Sequence, residues 1–81
     1  MDIAVVGIGY VGLVSATCFA ELGANVRCID TDRNKIEQLN SGTIPIYEPG
    51  LEKMIARNVK AGRLRFGTEI EQAVPEADIV F

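Results

Sequence analysis

The chain has 81 residues, 48% hydrophobic and 23% charged, with eight Lys and Arg against eleven Asp and Glu for a net charge of −3. This length admits one small domain near the lower limit of independent stability, and the ordinary apolar content excludes a disordered chain. Scattered basic residues under a negative net charge exclude a nucleic-acid-binding protein, and no apolar stretch approaches the roughly 20 residues of a membrane span.

The first twenty residues begin Met1-Asp2 rather than with a basic cluster, and three glycines interrupt their apolar run, so they read as structure and not as a secretion signal. Asp2-Ile3-Ala4-Val5-Val6 is a short apolar run stopped by Gly7, the pattern of a strand buried on both faces of a parallel sheet. Val11 to Leu22 reads as a helix rich in small residues, with Gly23 as its stop. Asn25 to Ile29 is a second β-rich run ending at an acid, Asp30. A helix follows from about Asp32 to Leu39, capped by Thr31 or Asp32, with Gly42 beyond its end.

The segment Ile44-Pro45-Ile46-Tyr47-Glu48-Pro49-Gly50-Leu51 carries two prolines, which exclude a central strand and imply a rigid, extended connection. Pro49 is expected in the first turn of the next helix, with Glu48 favouring its positive end. Leu51, Met54, Ile55 and Val59 form a helical stripe that runs to Gly62. Leu64-Arg65-Phe66 is a brief strand, Ile70, Ala73 and Val74 mark a short helix ahead of Pro75-Glu76, and Ala77 to Phe81 begins another apolar strand. Strands alternating with helices define an α/β fold: a Rossmann-type parallel sheet with flanking helices, built by right-handed crossovers. An apolar strand at the last residues would have nothing to cover its faces. The expectation is therefore that residues 1–81 are the N-terminal half of a dinucleotide-binding domain, cut within its fourth strand in the order 3-2-1-4-5-6.

Cys18 and Cys28 both lie in apolar periodic segments and read as buried, reduced thiols in a cytoplasmic protein. With no His in the chain, no metal site is expected.

The chemistry lies in Gly7-Ile8-Gly9-Tyr10-Val11-Gly12. G-x-G-x-x-G alone is a weak signal, but here a strand precedes it, a helix follows, and an acid ends the next strand. Gly7 permits the tight turn, Gly9 lets the backbone approach a pyrophosphate, and Gly12 lets the helix pack close to the strand. Free N–H groups at the helix start, with Tyr10 and Val11 supplying backbone, point at the phosphates in a favourable dipole field. Asp30 lies 18 residues after Gly12, near the expected offset of about 20. A carboxylate there accepts from the adenine-ribose hydroxyls and repels the extra phosphate of NADP, so the expected cofactor is NAD. The bland alternative makes Asp30 only a cap for the following helix. Arg33 reads as a solvated helix residue. Lys35 is within reach of the ribose edge, though on spacing alone a solvated lysine is the simpler reading. Cys18 sits mid-helix among packing residues, and Tyr47 and Glu48 either face a ligand or belong to the turn. No catalytic group is assigned.

Several stretches together resemble the UDP-glucose/GDP-mannose dehydrogenase family. They are Gly7 to Ser15, Cys18 to Gly23, Ile29-Asp30 with Lys35-Ile36, Ile44 to Leu51, and Ala61 to Phe66. The resemblance covers essentially the whole chain, and Ile44–Leu51 is more specific than the glycine fingerprint. It implies an enzyme that oxidises the primary alcohol of a nucleotide sugar to a carboxylate with two NAD, through a catalytic Cys that forms a thiohemiacetal and a thioester. It also implies that Val11, Asp30 and Lys35 contact NAD, and that the catalytic Cys, its assisting Lys and the sugar-binding domain lie downstream; neither Cys18 nor Cys28 matches the catalytic position. The partners expected are NAD and, in the longer protein, a nucleotide sugar (UDP-glucose, GDP-mannose or UDP-N-acetylmannosamine), in a homo-oligomer that touches neither nucleic acid nor membrane. A non-enzymatic NAD-sensing module shares the glycine turn and acid, and a 6-phosphogluconate or hydroxyacyl-CoA type of dehydrogenase shares the fold; Ile44–Leu51 speaks against the last.

Overall fold

The computed structural model describes residues 1–44 and 48–81. In chain order these form β1 (Asp2–Val6), α1 (Tyr10–Glu21), β2 (Asn25–Ile29), α2 (Arg33–Asn40), α3 (Leu51–Lys60), β3 (Leu64–Gly67), α4 (Ile70–Glu76) and β4 (Ile79–Val80). The strands make one four-stranded sheet in the order β3-β2-β1-β4, every pairing parallel. The connection from β3 to β4 steps back over β2 and β1, so the sheet reverses its direction of growth beside β1.

Alternation along each strand separates two faces. Ile3, Val5, Val26, Cys28 and Leu64 pack with Leu13, Ala16 and Ala20 of α1, Ile36 and Leu39 of α2, and Leu51 and Ile55 of α3. Ala4 and Ile29 point the other way, against Ala73 of α4. The middle of β1 is therefore buried on both sides, as its unbroken apolar run requires.

Helix ends follow the sequence signals closely. After α1, Gly23 takes φ +105 while its N–H donates to Ala20 O and that of Ala24 to Phe19 O, the paired bonds of a Schellman stop. The same bond pattern ends α2 at Gly42 and Thr43 and α3 at Gly62 and Arg63. Asp32, not Thr31, caps α2, its Oδ1 accepting from the Lys35 N–H at 3.2 Å.

Five expectations need correction. Pro49 does not enter the first turn of α3. Gly50, at φ +85 and ψ −16, caps that helix, and the Leu51 N–H donates to Glu48 O at 3.0 Å. This places Pro49 and Gly50 at the central positions of a type II turn, where proline followed by a left-handed glycine is favoured. Pro75 lies inside α4, in its last turn, rather than beyond it. Cys18 is exposed, on the outer side of α1, whereas Cys28 is buried and its thiol is pushed up to about 12 by desolvation. The last strand is limited to Ile79–Val80, both exposed. Finally, the stripe on α3 is shifted: Val59 is exposed and Asn58 is fully buried instead. Of the proline-containing connection, Pro45, Ile46 and Tyr47 lie outside the described residues.

Asn58 is buried because it ties three segments together. Its Nδ2 donates to Met54 O at 2.8 Å and to Glu21 Oε1 at 3.3 Å. Its Oδ1 accepts from Arg63 Nε and Nη2 at 3.1 and 2.9 Å. Arg63 Nε reaches Ala20 O as well, and Arg57 pairs with Glu21, holding that carboxyl below its usual range. An apolar residue at position 58 would leave Arg63 and Glu21 short of partners. Asn58→Leu is expected to lower the unfolding free energy by about 1–3 kcal/mol, while Val59→Ala, its exposed neighbour, shifts it by less than about 0.5 kcal/mol. Urea unfolding of the two variants decides: equal losses would mean that the Asn58 bonds contribute nothing.

Candidate dinucleotide site

Gly7 leaves β1 at φ +88, and its N–H donates to Ile29 O at 2.8 Å, so the turn starts level with the end of β2. Ile8 folds inward and is 2% exposed. Gly9 then caps α1 in an extended conformation, with no side-chain oxygen on the first-turn amides and no acidic residue in that turn. The N–H groups of Tyr10, Val11 and Gly12 have no intrahelical acceptor by geometry, and Leu13 is the first to bond back, to Gly9 O at 3.0 Å. They lie at the positive end of a twelve-residue helix.

Two of the three glycines show opposite surroundings. A Cβ built on Gly12 would stand 2.3 Å from the backbone oxygen of Gly7, closer than any side chain tolerates. Around a Cβ built on Gly9 nothing among the described residues lies within 4 Å: the open side of the turn is bare backbone. The fold itself requires Gly12, while Gly9 is free of any such demand from the protein.

Asp30 follows β2 on the same edge of the sheet. Its Oδ2 accepts from the Ile8 N–H at 2.9 Å and its Oδ1 from the Asp32 N–H at 3.0 Å. Lys35 Nζ is 3.8 Å from Oδ2. The Ile8 amide foremost, then the Asp32 amide and the Lys35 charge, hold the Asp30 carboxyl below its usual range against the opposing effect of burial. A small cleft of about 120 Å³ between Val6, Gly7, Ile29, Asp30, Thr31 and Ile70 opens at these strand ends. A larger hollow of about 320 Å³, lined by Arg27, Arg65, Phe66 and Gln72 among others, lies along α4 and away from the glycine turn.

The structure thus brings Gly7, Gly9, Tyr10, Val11, Gly12, Asp30 and Lys35 to one edge. Tyr10 has a side-chain role that the sequence did not reveal: its hydroxyl donates to Glu48 Oε2 at 2.8 Å, and that carboxylate raises the phenol's pKa. Glu48 therefore belongs to the surroundings of the turn. The bond spans 38 residues, and no local pattern announces it. Arg33 is exposed, as expected. Among the described residues no group of three or more potential metal-binding side chains occurs, and no helix is long and apolar enough to cross a membrane.

An open parallel sheet, a glycine turn leading into a helix N-terminus and an acid at the end of the neighbouring strand define a Rossmann-type dinucleotide-binding domain. The sequence profile of the UDP-glucose/GDP-mannose dehydrogenase family, NAD binding domain, matches residues 1–81, and the chain belongs to that family. It is similar to the UDP-glucose 6-dehydrogenase of Rhizobium meliloti, with 51% identity over 81 residues, covering 100% of this chain and 18% of that protein. It is similar to a UDP-glucose 6-dehydrogenase of Bacillus subtilis, with 53% identity over 79 residues, covering 98% of this chain and 17% of that one. The fold superimposes on GDP-mannose dehydrogenase from Pseudomonas aeruginosa, crystallised as a ternary complex, with a TM-score of 0.93 and 40% identity over 100% of this chain and 19% of the other. The chain thus spans about one fifth of the length of these relatives. The cofactor of the domain is NAD.

Two outcomes are expected from this geometry. Gly12→Ala should cost about 1–3 kcal/mol of stability through the clash with Gly7 O, and Gly9→Ala should cost well under 1 kcal/mol. Denaturant unfolding that ranks them the other way would overturn the assignment of roles within the turn. Because the folded-state pKa of Asp30 lies below its ordinary value of 3.8, its contribution to stability is present above that value and is lost as pH falls through the depressed one. Asp30→Asn should flatten this acid limb in unfolding measured at stepped pH, and an unchanged slope would contradict it.

Proposed function

We propose that the protein carrying this domain is an NAD-dependent UDP-glucose 6-dehydrogenase, which oxidises the sugar's primary alcohol to a carboxylate. The observation that carries the substrate reading is the identity to relatives: 43–53% to UDP-glucose 6-dehydrogenases, one of them putative, against 38–45% to GDP-mannose 6-dehydrogenases, each over nine-tenths or more of the chain. Going from alcohol to carboxylate removes four electrons. NAD, when bound, supplies a two-electron hydride acceptor, so two equivalents are consumed per sugar and one water enters the product.

Within this chain, the backbone of Gly9, Tyr10, Val11 and Gly12 holds the diphosphate on the amides that α1 leaves free. Gly7 sets the turn, and the bare side of Gly9 admits the phosphate oxygens. Asp30 takes the adenine-ribose hydroxyls, and Lys35, already within 3.8 Å of Oδ2, lies at the ribose edge. A carboxylate there disfavours the 2′-phosphate of NADP. The sugar site and catalytic groups lie outside these 81 residues, and the domain alone is expected to show no dehydrogenase activity.

Two measurements test the proposal. The protein supplied with UDP-glucose and NAD should release two NADH per sugar. Turnover of GDP-mannose or UDP-N-acetylmannosamine instead would move the substrate, and NAD binding with no NADH from any nucleotide sugar would favour a sensing module. Gly9→Val should abolish NAD binding with the fold retained, and an unchanged NAD Kd would remove the diphosphate from this turn.

A further inference from the structure

The carboxylate of Asp30 is engaged before any ligand arrives. Oδ2 accepts from the Ile8 N–H inside the glycine turn, 22 residues away in sequence, and Oδ1 accepts from the Asp32 N–H ahead of α2. A carboxylate offers about four lone-pair sites. These two amides take one site on each oxygen, with Lys35 Nζ 3.8 Å from Oδ2, so the carboxylate keeps acceptor capacity for the hydroxyls of an adenine ribose. The bond to Ile8 has a second consequence. Ile8 lies between Gly7, whose left-handed φ of +88 reverses the chain, and Gly9, which caps α1. Its side chain is anchored in the core at 2% exposure, while its amide is anchored on Asp30. With both ends of Ile8 fixed, the peptides that follow have little freedom to turn their N–H groups away from the crevice.

Resting on the NAD reading above, we propose that Asp30 is also the positioning residue of the phosphate-binding turn: through the Ile8 amide it holds the turn in its diphosphate-binding conformation, so ribose recognition and diphosphate recognition share one carboxylate. Loss of the carboxylate then weakens diphosphate binding even in a ligand with no ribose hydroxyls to offer. A side chain that acted on the ribose alone would have no such effect.

The experiment compares NAD with its analogue lacking both adenine-ribose hydroxyls, measuring Kd by calorimetry on the protein that carries this domain, as wild type, Asp30→Ala and Asp30→Asn. Positioning through Ile8 predicts that Asp30→Ala weakens the dideoxy analogue about tenfold or more, the effect of one lost charge-assisted bond. Asp30→Asn, whose amide oxygen can still accept from Ile8, should restore most of that loss while NAD itself remains weakened. The Ile8 amide resonance reports the bond directly, and in NMR spectra it should move in Asp30→Ala far more than in Asp30→Asn. If Asp30→Ala binds the dideoxy analogue as tightly as wild type but loses NAD, the positioning role falls and the ribose role stands. If neither ligand is affected, both fall. Should Asp30→Ala fail to fold, the Asp30→Asn arm still decides, because a loss of the dideoxy analogue there as large as the loss of NAD overturns the proposal.

Discussion

The start of α1 lies so near the turn that follows β1 that Gly12 faces the carbonyl of Gly7 with room for hydrogen alone. This contact sets how near the helix comes to the strand it follows, and much of the site depends on that distance. With α1 drawn in, Leu13, Ala16 and Ala20 seal against Ile3, Val5 and Val26, all with little or no exposure. The helix N-terminus is thereby carried to the strand ends, where its unbonded amides have no protein acceptor in reach along their own helix. The small residues along α1 serve the same approach, since a large side chain at Ala16 or Ala20 would hold the helix off the sheet.

The sheet order explains why a ligand would collect here. Growth from β1 to β2 to β3 places α1, α2 and α3 on one face, and the return to β4 places α4 on the other. In an open parallel sheet the crevice that takes a ligand lies outside the carboxyl ends of the strands, at the point where the order reverses. The glycine turn occupies that point, with Asp30 on one side and β4 on the other. A long crossover like that between β3 and β4 is needed only because the strands are parallel, so the crevice follows from the topology itself.

Much of this was legible in the residues. β1 and β2 announce themselves as apolar runs stopped by Gly7 and Asp30, and the helices of the large face by small-residue or periodic patterns closed by glycine. The spacing from Gly12 to Asp30 implies that both lie on one edge. What escaped has a common cause: it depends on groups distant in sequence. Asn58 is polar and so left the apolar stripe of α3, yet it is buried because Glu21 and Arg63 converge on it from other elements. Glu48 reads as an acid near a helix start, and only the fold brings it to Tyr10. Cys18 shares the composition of its buried neighbours, but its position around α1 turns it outward. Pro49 shows a different failure, a choice between two favourable local geometries. Proline suits a first helical turn and also the second position of a type II turn, and the glycine that follows it selects the turn.

The geometry of the candidate site is in turn a consequence of strand register. β1 and β2 pair with Val6 opposite Ile29, and the ladder continues with the Gly7 N–H on Ile29 O. Asp30 therefore emerges beside the turn and not one residue along it. That register is held by the core, because a shift of one residue would carry Val26 and Cys28 from the large face to the side of α4 and expose Arg27 to the interior of α1. Arg27 instead lies on the α4 side, where its guanidinium pairs with Glu76 at 2.9 Å. The apolar residues that fill the large face thus also fix the distance between the amides of the turn and the acid of the neighbouring strand. Packing and the placement of the candidate site depend on the same pairing of two five-residue strands.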